Sequence, residues 1–200
     1  PIVQPLIPPG QPITAALGLL LFEIAVGLTI GLAGRLVVAS LQIAGNFVAQ
    51  SLGLAFAESV DPTQGGQSAQ IGNFLTLTGV AMLFATDAHH MVIGAIHGSY
   101  TALPPGMLPD TGDAAKLAMT TMAKAFAIAV QIAAPFIVFA LVFNLGLGVL
   151  ARLMPSLQVF FLGMPATILF GFLVLAASMA LMMTVFLREV SDFLRPLAGG

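Results

Sequence analysis

The chain has 200 residues, of which 58% are hydrophobic and only 7% charged, and its formal net charge is -2. Soluble domains carry roughly 25% charged residues. No soluble fold of this size hides so much apolar surface, so a mean hydropathy of +1.05 excludes a soluble globular protein and calls for an integral membrane protein. Cysteine is absent, which excludes a disulfide framework and a thiolate metal site. No basic run occurs, so nucleic acid is not an expected partner. Tryptophan is absent and Tyr100 is the single tyrosine, so the usual interfacial aromatic belt is nearly missing. Either the helices face protein more than lipid, or the composition has simply drifted.

In chain order, Pro1, Pro5, Pro8, Pro9 and Pro12 make an extended lead that cannot be helical. The lead lacks the basic start of a signal peptide. A continuous apolar run follows from Ile13 to Ile30, with Glu23 in its middle. An intramembrane carboxylate normally meets a partner or a cavity. Arg35 lies about 18 Å further along a helix at 1.5 Å per residue, too far to pair with Glu23 in one straight helix. Glu23 is therefore expected to hydrogen-bond a neighbouring helix, with an ion or proton role as the alternative. Gly27, Gly31 and Gly34 form a small-residue face whose spacing permits close helix–helix approach. Arg35, Gln42, Asn46, Gln50 and Gly53 fall within an arc of roughly 80° at 100° per residue. Such a polar stripe faces a pore, another subunit, or other helices of the same chain.

The stretch Gln50–Gln70 is the one that a simple membrane reading cannot place. It opens small and apolar with Gly53, Leu54 and Phe56, then acquires Glu58 and Asp61, turns at Asp61-Pro62 and loosens at Gly65-Gly66. Irregular backbone at membrane depth is tolerated only when buried in protein or lining a cavity. Ile71 to Thr86 is apolar again, and Asp87, Ala88, His89 and His90 end it. Met91 to Ile96 resumes the apolar run and His97 follows. The histidines and Asp87 show no recognised ligand spacing and HExxH is missing, so an interfacial turn with hydrogen-bonded imidazoles is expected, with no metal or cofactor. Ser99 beside His97 suggests a hydrolase only weakly, since no GxSxG elbow occurs. Leu103-Pro104-Pro105-Gly106 and Pro109-Asp110 form the clearest internal boundary.

Asp113 is expected to cap a new helix. Ala125–Ala151 and Ala166–Leu187 are uncharged and long enough to span, with Pro135 expected to kink the first. Arg152, Pro155 and Gln158 lie in the tight connection between them, making a helical hairpin. Arg188, Glu189, Asp192 and Arg195 belong to a short amphipathic charged tail.

Three blocks in register carry a resemblance: GLAFAESVDP at Gly53–Pro62, HHMVIGAIHGSYTALPPG at His89–Gly106 and RLMPSLQVFFLGMP at Arg152–Pro165. Together they resemble the FliR/SctT family of type III export-gate subunits, from about Leu17 to Leu187. Ala127–Leu150 with the tip and second span is also similar to the small subunit FliQ. Members of that family carry a further N-terminal region that this sequence lacks before Pro1.

The resemblance implies an all-α membrane protein: broken apolar helices around a pore-plug segment, then a FliQ-like hairpin. It divides the chain into a FliP-like half at 1–106, with the plug at about 50–70, and a FliQ-like half at 107–200. It implies a channel built with FliP and FliQ in the inner membrane, partly on the periplasmic side of the flagellar basal body. Unfolded substrates would pass through it with help from FlhA and FlhB. In that picture Leu54 and Phe56 seal the lumen by dewetting, Gly53 gives flexibility, Asp61-Pro62 anchors the exit turn, and the hairpin tip faces the cytoplasm. A virulence-secretion subunit of the SctT type is the alternative, and an ordinary multi-pass channel or transporter a further one, although no inverted repeat is visible.

Overall fold

The computed structural model describes residues 13–54, 67–102, 111–154 and 159–195. Five helices lie in these residues: α1 (Ile13–Ser51), α2 (Gln67–Ala85), α3 (Ala88–Ala102), α4 (Thr111–Leu153) and α5 (Val159–Leu194). The chain is an all-α membrane protein. Portions of α1, α4 and α5 at Glu23–Ser51, Ala118–Leu153 and Gly163–Leu194 are long and apolar enough to cross a bilayer. The shorter α2 and α3 qualify only as a pair, and they meet at an 81° bend. The broken apolar helices and the hairpin expected from sequence are therefore present.

The core lies where the C-terminal half of α1 meets α2, α4 and α5. Val37, Leu41, Ala44, Val48 and Leu52 recur every three or four residues along α1 and are buried, which is one helical face. Opposite them stand Ile71 and Leu75 of α2, Ile128, Ile132 and Phe136 of α4, and Met182, Phe186 and Val190 of α5. Fully burying each of the larger side chains stabilises by about 1.5–3 kcal/mol relative to water. Next to lipid the same contacts act through packing instead, because acyl tails are as apolar as leucine.

Two backbones come together where α1 crosses α2. A Cβ added to Gly45 would overlap the backbone of Gly72, and one added to Gly72 would press on the Gln42 side chain. Only glycine lets two backbones come this near. Hydroxyls in the core turn back on their own helices: Ser40 Oγ donates to Val37 O at 2.6 Å and Thr76 Oγ1 to Gly72 O at 2.8 Å. That arrangement leaves no hydroxyl donor unpaired where water is absent.

Two expectations need correction. Asp113 lies inside α4, two residues beyond its start at Thr111, and so is not its cap. Helix α4 is continuous from Thr111 to Leu153 with Pro135 inside it, so Lys116 and Lys124 share one helix with the uncharged stretch. The charged tail is no separate element: α5 continues to Leu194, with Val190 and Leu194 buried and Arg188 and Asp192 exposed. Its ion pair, Arg195 Nη1 to Asp192 Oδ1 at 3.7 Å, is exposed at both ends and contributes little.

Candidate functional site

The polar stripe of α1 is built by helical periodicity and then divided by packing. Gln42 is half-buried against α2, with its Oε1 3.4 Å from Thr76 Oγ1 and its side chain over Gly72. The single Thr76 proton serves mainly the shorter bond to Gly72 O, so the Gln42 contact is a weak one. Arg35, Asn46 and Gln50 are exposed. The stripe thus holds one residue that glues two helices of this chain and three that its own helices do not cover. Arg35 lies inside the spanning stretch Glu23–Ser51, where an exposed guanidinium against hydrocarbon is costly.

Glu23 is half-buried and has no hydrogen-bond or ion-pair partner among the described residues. The neighbour-helix bond expected for it is not seen among the described residues. Gly27, Gly31 and Gly34 also differ from expectation. A Cβ built on any of them meets nothing within 4 Å, so among the described residues the face packs against no helix. The close approach is made by Gly45 and Gly72 instead. Pattern alone did not reveal them, because Gly45 has no glycine partner at helical spacing on its own helix.

Helix α1 stops where the puzzling segment starts. Leu52 N–H donates to Val48 O and Gly53 N–H to Gln50 O, both at 3.0 Å. Gly53 has φ +74°, the left-handed conformation that ends helices and favours glycine. It terminates α1 at a defined place. Leu54 is half-buried against the core. Phe56, Glu58, Asp61 and Pro62 lie outside the described residues. At the hairpin tip Arg152 is exposed in the last turn of α4, where a cation complements the helix dipole. Pro155 and Gln158 also lie outside the described residues.

The bend between α2 and α3 gathers the histidines. Thr86 N–H closes the end of α2 on Met82 O, Asp87 takes φ +56°, and His90 N–H donates to Asp87 O at 3.0 Å to open α3. His90 Nδ1 lies 3.3 Å from Asp87 O and 3.8 Å from Asp87 Oδ1. The His89 ring stands 4.1 Å from that of His90 and 5.2 Å from Phe84, centroid to centroid. His89 Nδ1 is buried without a hydrogen-bond partner, a state that costs about 1–3 kcal/mol. Spacing along the sequence argued against a metal here, but the bend brings a ligand atom from each of Asp87, His89 and His90 within 4.8 Å of the others. His97 is not in this group.

Comparison with known proteins agrees with this architecture. Residues 2–193 match the family described as bacterial export proteins, family 1. The chain is 39% identical to the flagellar biosynthetic protein FliR of Caulobacter vibrioides over 96% of its length and 78% of that protein. It is 32% identical to the FliR of Bacillus subtilis over 89% of its length and 70% of that protein. Its similarity extends to the Yop proteins translocation protein T of Yersinia pestis, 29% identical over 72% of this chain and 56% of that one.

Proposed function

The chain belongs to the bacterial export proteins of family 1, and from that premise we propose that it is a core subunit of the flagellar type III export gate. At the coarser level it is a membrane component of a type III export apparatus. In the finer reading it assembles with FliP- and FliQ-type subunits into an inner-membrane channel for unfolded export substrates. FlhA and FlhB act beside it, and its own residues from about 50 to 70 close the lumen. The FliP-like half is 1–106 and the FliQ-like hairpin 107–200. The flagellar reading is preferred to a virulence one because identity is higher to the Caulobacter FliR than to the Yersinia translocation protein.

One observation supports this most. A spanning helix leaves Arg35, Asn46 and Gln50 open along one face. Lipid is a poor neighbour for that face, whereas an aqueous lumen or a second subunit is a good one. The termination of α1 at Gly53 adds to it, since the chain leaves regular helix at the very start of the proposed plug.

The test is a deletion of Leu54 to Glu58, read in two ways. The complex pulled down through this chain should retain its FliP- and FliQ-type partners, while membranes containing it become permeable to ions and small solutes. If deletion abolishes partner recovery, the segment is a structural strut. A deletion complex that assembles and stays as tight as the parent overturns the plug assignment.

A further inference from the structure

The cluster at the α2–α3 bend has no task in the export reading. We propose that Asp87, His89 and His90 bind a divalent transition-metal ion of the zinc, nickel or copper class. Two imidazoles and one carboxylate suit these borderline ions, whereas magnesium and calcium prefer all-oxygen sites. The three ligand atoms already lie within 4.8 Å of one another. Around a tetrahedral ion with bonds of about 2.0–2.1 Å they would stand about 3.4 Å apart. The Asp87–His90 pair, at 3.8 Å, is nearly there.

The closure needed falls on side chains that can move, because those of His90 and Asp87 are 69% and 81% exposed. Asp87 is held at φ +56° by the bend itself, so its carboxylate leaves the backbone at a fixed point. His89 contributes the second indication: it is the residue with a buried ring nitrogen that nothing among the described residues satisfies. A bound ion would tie the first turn of α3 to the residue that ends α2. It would thereby hold the 81° angle that a lone two-residue turn leaves to packing.

The experiment uses the membrane complex purified through a tag on this chain, stripped with chelator and titrated with Co²⁺. The expected result is a visible d–d spectrum typical of a low-coordinate nitrogen–oxygen site, displaced by Zn²⁺. Asp87→Asn and His90→Gln should each weaken Co²⁺ binding at least about tenfold, since even outer-shell changes at metal sites cost 10–100-fold. Both positions are exposed, so neither change opens the core. His97→Gln, outside the cluster, should bind as the parent does. A parent complex showing only the weak spectrum of hydrated Co²⁺ overturns the proposal, as does a His90→Gln complex that binds cobalt undiminished.

Discussion

The two halves of α1 meet different surroundings although they belong to one uninterrupted helix. From Val37 to Leu52 its apolar face is buried, and Gly45 rests on the backbone of Gly72. From Ile13 to Leu32 the large apolar residues Leu17, Leu21, Ile24 and Leu28 are all exposed, and Gly27 and Gly31 face open space. Both halves are apolar and rich in small residues, although the polar stripe of Gln42, Asn46 and Gln50 lies on the second. What separates them is which part of the helix its own chain can reach. A small-residue face is a capacity for close approach, and only the placement of other elements decides whether the chain uses it or offers it to another.

The comparison can be broken hardest at the crossing. Gly45→Leu drives a side chain into the Gly72 backbone, which cannot rotate away. Overpacking of this kind costs about 3 kcal/mol or more, and the variant should fail to accumulate in membranes on immunoblots. Normal accumulation would mean that α1 and α2 do not cross there.

On the open half the same change should do the opposite. A Cβ at Gly31 meets nothing among the described residues, so the amount of Gly31→Leu in the membrane should equal the parent's, while recovery of partner subunits falls several-fold. Unchanged recovery would assign that face to lipid.

Arg35 sharpens the contrast by chemistry. Arg35→Leu should leave the chain's abundance intact and reduce swarming on soft agar. If the position faces lipid, removing the charge should instead raise abundance, since a charge at mid-span costs about 2.5–3.5 kcal/mol.

Smaller effects are expected at the two ends of the buried half. Gly53→Ala forces a side chain into the left-handed region at a cost of about 1–2 kcal/mol, visible as a lower midpoint of thermal aggregation for the complex. Thr76→Val removes the long 3.4 Å contact to Gln42 together with the 2.8 Å bond to Gly72 O, a loss of about 1 kcal/mol at most since that carbonyl keeps its helical bond, and should lower the midpoint by less than Gly53→Ala does.

The long apolar runs made the helices legible, and the uncharged stretches on either side of Arg152 made the hairpin legible, because length and hydropathy alone constrain a spanning segment. The break at Asp87–His90 was legible too, since charge and two imidazoles interrupt the run. Its consequence was not: the three ligand atoms converge through a left-handed residue and a sharp bend, neither of which is encoded in spacing. Periodicity puts Gln42 and Asn46 on one helical face, but it cannot tell that Gln42 meets Thr76 while Asn46 has no hydrogen-bond partner among the described residues. Gly45 was missed because its partner is on another helix. The start of α4 was read two residues late, at Asp113 instead of Thr111, because an aspartate ahead of an apolar run looks like a helix cap.

The length of α4 carries a consequence for the whole molecule. Met119 near one end and Leu153 at the other are both largely exposed, as are Phe126, Val138, Leu141 and Leu145 between them. Along the helix axis the first and last are about 51 Å apart at 1.5 Å per residue. The hydrocarbon of a bilayer is about 30 Å thick. Even tilted by 40°, near the limit for transmembrane helices, a helix passes through only about 39 Å of it. At least about 12 Å of greasy surface on α4 therefore projects past the acyl chains. Water is a poor solvent for it, and none of the described residues of this chain covers it. By this measure alone the chain is a stave rather than a barrel, and its stability belongs in part to its neighbours.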